Sequence, residues 1–197
     1  MKTNKWIFAI VMAASLAWVA CDDDDDSINK PDLNDTDETF VETAARSNMG
    51  EIELGQLAAT KATDSLVKAY AQQMVTEHTA AQNELKDLAD DYNGIDWPNS
   101  LTVSQDSTKE RLNEATGYTF DTLYIRSQVR MHEDAVAAFQ TASSNSTDSR
   151  VKAYATKYLP HIQMHLQKAD SLETSISTNT TATGDTGGGT TDGTGTD

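Results

Sequence analysis

The sequence has little cysteine, little basic charge and no recognisable catalytic motif. One cysteine among 197 residues excludes an intramolecular disulfide, so the fold must rest on its apolar core. Fifteen lysines and arginines against 31 aspartates and glutamates argue against a nucleic-acid partner and against binding to anionic lipid heads. Neither a nucleophile elbow nor a phosphate-binding glycine loop is recognisable. No substrate or reaction class is therefore indicated.

The first 20 residues have the pattern of a lipoprotein signal peptide. A short basic segment precedes an apolar run over 6–20, which is too short for a stable membrane span. Cys21 follows directly and resembles the lipidated cysteine of a lipobox, although Trp18 stands where leucine is usual. We expect a lipid on Cys21 to attach the chain to the membrane. The alternative is an ordinary secretory signal followed by an unmodified cysteine.

The lipidated cysteine and an acidic linker are expected to span residues 21–36. Five consecutive aspartates, 22–26, repel one another and predict a solvated tether. Once Lys2 and Lys5 are removed with the signal, 13 basic residues remain against 31 acidic ones, a net charge of −18. The acidic run also resembles the surface-export signal of Bacteroidota lipoproteins, and this resemblance implies an outer-membrane, surface-exposed location. A plain spacer on a periplasm-facing lipoprotein is the alternative.

Apolar periodicity predicts one helical domain over 37–176. Four long helices are expected at about 37–61, 64–92, 120–142 and 148–176, with a short helix near 107–115 in the connection. Asp37 is the expected N-cap of the first helix, and Pro160 is expected to kink the last helix or displace one hydrogen bond. The tail, 177–197, is rich in Thr, Gly and Asp and is expected to be disordered.

An internal repeat indicates how the helices are connected. The segment TDSLVKAYA at 63–71 matches TDSRVKAYA at 147–155 in eight of nine positions, and the aromatic at Phe40 is matched with Phe120. Two copies of a helical hairpin, joined by a longer crossover at 93–119, predict an all-α, ferritin-like up-and-down four-helix bundle. Chance similarity between amphipathic helices is the alternative.

Four polar residues fall on the apolar stripes of these helices, one on each. They are Glu51, His78, His132 and His165. Burying such groups costs free energy unless each finds a partner. The first interpretation is a metal site, since a Glu-His₃ set suits Zn²⁺, Cu²⁺ or a single non-haem iron. Glu53, Glu77, Glu133 and His161 are candidates for additional contacts.

Two other interpretations remain open for these four residues. Glu51 can bond the histidines in a buried polar network that fixes helix register, or the histidines can lie at the stripe edge and reach solvent. Ligand atoms spread over more than about 6 Å would favour the network, since metal–ligand bonds are about 2 Å. The Glu-x-x-His motif of di-iron bundles is absent before His78 and His165, which argues against a ferroxidase centre.

Several segments resemble one bacterial family. The stretches NMGEIELGQLA, VKAYAQQMVTEH, FDTLYIRSQVRMHEDAVAAF and YLPHIQMHLQKADSL look like the domain-of-unknown-function 4142 family. The resemblance covers about 40–172 and implies an exported protein with a ferritin-like bundle, but no activity. The recurrent features of the family match Glu51, His78, Pro98, Phe120, Asp121, His132, Pro160 and His165. This adds weight to Glu51 and the three histidines acting as a set.

Overall fold

The computed structural model describes residues 30–183, with side chains through residue 178. The predicted signal peptide at 1–20, Cys21 and the last part of the predicted tail, 184–197, lie outside this range. The described residues form five helices: α1 (Asp35–Lys61), α2 (Ser65–Ala89), α3 (Val103–Glu114), α4 (Gly117–Asn145) and α5 (Ser149–Thr183). None of these helices has the length and apolarity needed to cross a membrane.

The four long helices pack as two hairpins, α1 with α2 and α4 with α5. The hairpins meet along α1 and α4 and along α2 and α5, so each long helix is antiparallel to both of its neighbours. The connection at 90–116, which contains α3, runs from one end of the bundle to the other. This arrangement confirms the predicted all-α, ferritin-like bundle of two hairpins with one longer crossover.

The two hairpins are related by an internal repeat of 84 positions. Asp121 accepts hydrogen bonds from the backbone of Thr63 and Asp64 at the start of α2, at 3.0 and 2.8 Å. Asp37 accepts the equivalent bonds from Thr147 and Asp148 at the start of α5, at 3.2 and 2.9 Å. Asp37 and Asp121 differ by 84 positions, as do Thr63 and Thr147. Each hairpin therefore caps one helix of the other.

Two tyrosines are related by the same repeat of 84 positions. The Tyr70 hydroxyl donates to the carbonyl of His165, and the Tyr154 hydroxyl donates to the carbonyl of Ala81. The 84-position spacing therefore pairs Phe40 with Tyr124, one helical turn beyond the match with Phe120 expected from the sequence.

The start of α1 differs from the prediction. Asn34 is its N-cap, because the Asn34 side chain accepts from the backbone N–H groups of Thr36 and Asp37. Asp37 therefore lies in the first turn, where its carboxylate is free to cap α5 instead. An aspartate near a helix start is compatible with either role, which is why the sequence pattern misplaced it.

Boundaries of the other helices differ as well, and α4 is three residues longer at each end than expected. α2 ends at Ala89, before the predicted Tyr92, because the chain turns there and Asn93 N–H bonds to the carbonyl of Pro31. α3 begins at Val103, before the expected 107, behind a capping box of Thr102 and Gln105. α5 continues to Thr183, into the predicted tail, and hydroxyls in its last turns such as that of Ser177 donate to carbonyls one turn earlier.

A polar layer divides the core into two apolar clusters. One cluster surrounds Phe40 and Phe139, near the start of α1. The other surrounds Tyr70 and Phe120, near its end. The layer between them consists of buried polar side chains from all four long helices: Asn48, Glu51, His78, Gln128, His132 and His165.

Candidate metal centre

All four predicted site residues lie in the polar layer, and three of them come close together. His78 from α2, His132 from α4 and His165 from α5 each bring one ligand nitrogen into a group whose members all lie within 4.8 Å of one another. Their side chains belong to residues that are only 6%, 1% and 2% exposed. This burial rules out the interpretation that the histidines sit at a stripe edge and reach solvent.

One nitrogen of His132 is committed to its own helix. Its Nδ1 lies 2.9 Å from the carbonyl oxygen of Gln128, which can only accept, so Nδ1 carries the proton. The other nitrogen, Nε2, is then a bare lone pair. It is buried without a hydrogen-bond partner among the described residues.

His78 is fixed in the same way by α1. Its Nδ1 lies 2.9 Å from Oδ1 of Asn48. The amide orientation follows from the network, because Tyr154 donates its proton to Ala81 and its oxygen accepts from Nδ2 of Asn48. His78 Nδ1 therefore donates to Asn48, and Nε2 is left as a buried lone pair without a partner within residues 30–178.

His165 is held by a carboxylate on α2. Its Nε2 donates to Oε2 of Glu77 at 2.8 Å. Burial of Glu77 opposes ionisation, but hydrogen bonds from Gln73 and His165 outweigh it and lower the pKa of the Glu77 carboxyl. The third free nitrogen of the layer is thus Nδ1 of His165, which also has no partner among the residues that the structure describes.

Burial disfavours protonation of two of the three histidines, His78 and His165. Burial lowers the pKa of His78 well below its usual value, and the neighbouring histidines lower it further. Burial likewise lowers the pKa of His165 to about 4, against the opposing effect of Glu77. His78 and His165 are therefore neutral imidazoles at neutral pH. This arrangement is the one that a cation would stabilise.

Glu51 lies beside the histidines, and outside the group of three. Its Oε1 is 3.6 Å from Nδ1 of His132, the nitrogen that bonds to the backbone. Its Oε2 is buried without a hydrogen-bond partner in the part of the chain that the structure describes. The residue is 1% exposed, and burial raises the pKa of its carboxyl despite the nearby His132. Glu51 as a direct ligand therefore stays a prediction.

Of the four residues predicted to make additional contacts, two lie near the layer and two do not. Glu77 and His161 lie at the outer edge of the layer, where His161 Nδ1 is 3.8 Å from Oε2 of Glu77. Glu53 pairs instead with Lys109 on α3, and Glu133 is exposed to solvent.

Two contributors to the layer were missed in the sequence. Asn48 fills the helical spacing between Ala44 and Glu51 on the stripe of α1, and this spacing is the signal that could have found it. Gln128 contributes its backbone carbonyl oxygen. A backbone contact does not depend on the side chain, so the sequence gives no signal for it.

The fold places the chain in the class of ferritin-like helical bundles. A crystal structure of a two-domain protein from Anabaena variabilis, containing DJ-1/ThiJ/PfpI-like and ferritin-like domains, matches 82% of this chain with a TM-score of 0.56 and 17% identity. The match covers 42% of that protein, so this chain spans less than half of its length. At this identity the likeness shows the fold alone.

The family of the chain is identified from its amino-acid sequence. The model of the family described as Domain of unknown function (DUF4142) matches residues 24–172, and the chain belongs to this family. The resemblance inferred from the sequence segments is thereby confirmed. A comparison with curated proteins gave no match.

Proposed function

We propose that this chain is a lipid-anchored cell-envelope protein that binds one divalent transition-metal ion in the core of its bundle. The ligands are Nε2 of His78, Nε2 of His132 and Nδ1 of His165. Two observations support the proposal. Each of the three histidines brings one ligand nitrogen within 4.8 Å of the others. Each also has one buried nitrogen without a hydrogen-bond partner among the described residues. Each opposite nitrogen already has the acceptor that metal-bound histidines usually have.

The spacing suits a metal after a small contraction. Two ligands at about 2.1 Å from a tetrahedral ion lie about 3.4 Å apart. Nitrogens within 4.8 Å of one another therefore need to close by no more than about 1.4 Å. Imidazole nitrogens suit Zn²⁺, Cu²⁺ and non-haem iron, and a three-histidine set leaves one coordination position for another ligand.

Glu51 supplies the compensating charge in this proposal. A divalent ion near its carboxyl would favour the ionised form and offset the burial that now raises its pKa. The unpartnered Oε2 gives it the capacity to serve as the fourth ligand. In Glu51→Gln the charge is removed at nearly constant shape, so the loss of metal affinity in this variant measures that contribution.

A purely structural polar network is the alternative function of the layer. Such a network is stable when every buried member is paired. Here each histidine is paired at one nitrogen only, and the remaining atoms do not pair with each other. This pattern favours a metal site over a network that only fixes helix register.

Metal analysis of the full-length chain tests the proposal. After treatment with a chelator, the chain is dialysed against Zn²⁺, Cu²⁺ or Fe²⁺ and melted with and without each ion. We expect one ion per chain and a higher melting temperature with metal. His132→Gln should lose both effects. Asn83→Ala, which changes an exposed residue of α2 outside the group of three histidines, should keep them. Substoichiometric metal and an unchanged melting temperature with all three ions would overturn the metal site.

Membrane attachment is proposed from the signal-peptide pattern and Cys21. Lipidation with several acyl chains gives stable anchoring, since each buried methylene contributes about 0.8 kcal/mol. In cells that produce the full chain, Cys21→Ala should move the protein from the membrane fraction to the soluble fraction. Surface exposure, expected from the aspartate run, is measured separately by the accessibility of intact cells to added protease. Unchanged membrane attachment of Cys21→Ala would contradict the lipid anchor.

A further inference from the structure

One cavity connects the polar layer with the surface between α2 and α5. Its volume is about 350 Å³, and its inner wall includes His78 and His165. Glu77 and His161 lie at its outer side, and their side chains are 33% and 52% exposed. The cavity therefore extends from this surface to the side chains of two of the three histidines.

A single carboxylate oxygen joins the surface histidine to the buried one. Oε2 of Glu77 lies 2.8 Å from Nε2 of His165 and 3.8 Å from Nδ1 of His161. The other oxygen, Oε1, accepts a hydrogen bond from Gln73, which fixes the carboxylate plane. The lysine at the same opening, Lys157, is paired with Glu84 and so is held by another carboxylate.

We propose that His161 and Glu77 form a second cation site, which captures a divalent metal at the surface before it moves to the three buried histidines. This inference rests on the proposed metal-binding function. The 3.8 Å separation of its two atoms is close to the roughly 3.4 Å expected for neighbouring ligands of a tetrahedral ion. Because Glu77 also contacts His165, its carboxylate is within reach of both sites.

The internal repeat supports a site made jointly by the two hairpins. Glu77 and His161 differ by 84 positions and are therefore equivalent residues of α2 and α5. The helices meet face to face at this point, so each hairpin contributes one ligand. One turn further along α5, His165 contacts the same Glu77 carboxylate. The surface pair therefore lies next to the buried site.

Charge gives the surface pair a kinetic role. The chain carries 31 acidic residues against 15 basic ones, which draws cations to its surface. A ligand pair at the opening raises the local metal concentration there. Removing the exposed histidine should therefore slow metal entry without changing the final affinity of the buried site.

Stopped-flow uptake of Co²⁺ by the metal-free, full-length chain tests this role, with the visible absorption of the buried Co²⁺ complex as the signal. His161→Gln should slow uptake about tenfold, within the range known for electrostatic focusing of ligands. Its equilibrium dissociation constant should stay within about twofold of wild type, because no buried ligand is lost. His161→Asp, which restores an oxygen ligand, should recover most of the rate.

Met164→Gln is the matched control, because Met164 lines the same opening and is no ligand in either site. Its uptake rate should equal that of wild type. Wild-type uptake of Co²⁺ with an unchanged rate in His161→Gln would overturn the entry site while leaving the buried site intact. Failure of wild type to bind Co²⁺, Zn²⁺, Cu²⁺ or Fe²⁺ at equilibrium would overturn both.

Discussion

The two hairpins of the bundle have the same framework but different chemistry. Equivalent aspartates cap the partner hairpin, and equivalent tyrosines bond to equivalent carbonyls. The polar layer does not follow this repeat. Its members correspond to other residue types in the opposite hairpin: His78 to Ile162, His165 to Ala81, His132 to Asn48 and Glu51 to Ala135.

This difference separates what the fold needs from what the site adds. The repeated contacts occur at the ends of the bundle and along the seam of α2 and α5, where they hold two copies of one hairpin together. Ile162 shows that an apolar side chain is accommodated at the position equivalent to His78. Three converging histidines are therefore not a by-product of the repeated fold.

The largest expected effect comes from replacing a histidine by its counterpart in the other hairpin. His78→Ile should abolish stabilisation by Zn²⁺, which amounts to about 4 kcal/mol when the free ion is 1,000 times the dissociation constant. Without metal, the variant should unfold within about 1 kcal/mol of wild type, because an unpaired buried nitrogen is lost together with one hydrogen bond. Urea unfolding with and without Zn²⁺ measures both quantities. If Zn²⁺ still raises the free energy of unfolding of His78→Ile, the proposed difference between the hairpins is contradicted.

The equivalent caps should cost similar amounts when removed. Asp37→Ala and Asp121→Ala each leave two backbone N–H groups and one threonine hydroxyl without a charged acceptor. We expect each to lower the free energy of unfolding by about 2–3 kcal/mol. Denaturant titrations of the two variants sharpen the comparison directly. A large loss in one and none in the other would show that the repeat in the framework is only apparent.

A smaller effect is expected at the hydrogen bond that orients His78. Asn48→Ala removes the acceptor of His78 Nδ1 and should weaken Zn²⁺ binding about tenfold, the lower end for residues that orient metal ligands. Competition with a coloured chelator measures the affinity. Asn83→Ala, at an exposed position of α2, is the control and should bind Zn²⁺ like wild type. Equal affinities of the two variants would contradict this role of Asn48.

The smallest effect is a pH dependence of the framework. Burial opposes ionisation of Asp37, but its hydrogen bonds outweigh burial and lower the pKa of the carboxyl below 3.8. A lowered pKa adds stability that is fully present above about 3.8 and is lost as the pH falls through the folded-state value. Wild type should therefore lose more stability than Asp37→Asn as the pH falls from 5 to 3. If the free energies of unfolding of the two proteins change equally with pH, the role of Asp37 as this cap is contradicted.

Much of the framework was predictable because it depends on periodicity. Apolar residues at helical spacing predicted the four long helices, and the near-identical segments at 63–71 and 147–155 predicted the two hairpins. The end of α5 was not predictable in this way. Its last turns carry no apolar stripe, and they are held by local hydroxyl-to-carbonyl bonds such as that of Ser177.

The site was predictable to the extent that burial of a histidine is unusual. His78, His132 and His165 were recognised because they interrupt apolar stripes. Their convergence depends on helix rotation and register, which single-helix patterns do not determine. The position of Glu51 beside Nδ1 of His132 depends on the same quantities, and this is why the expected four-residue set resolved into three converging histidines and a neighbouring carboxyl.

X-ray absorption at the zinc K-edge is the most direct test of the central claim. The full-length chain, loaded with one equivalent of Zn²⁺, should give three imidazole nitrogens at about 2.0–2.1 Å and one further light ligand. In His78→Ile the imidazole count should fall below three or the zinc should be lost. A wild-type spectrum dominated by oxygen ligands, with fewer than three imidazoles, would contradict a three-histidine metal centre in this bundle.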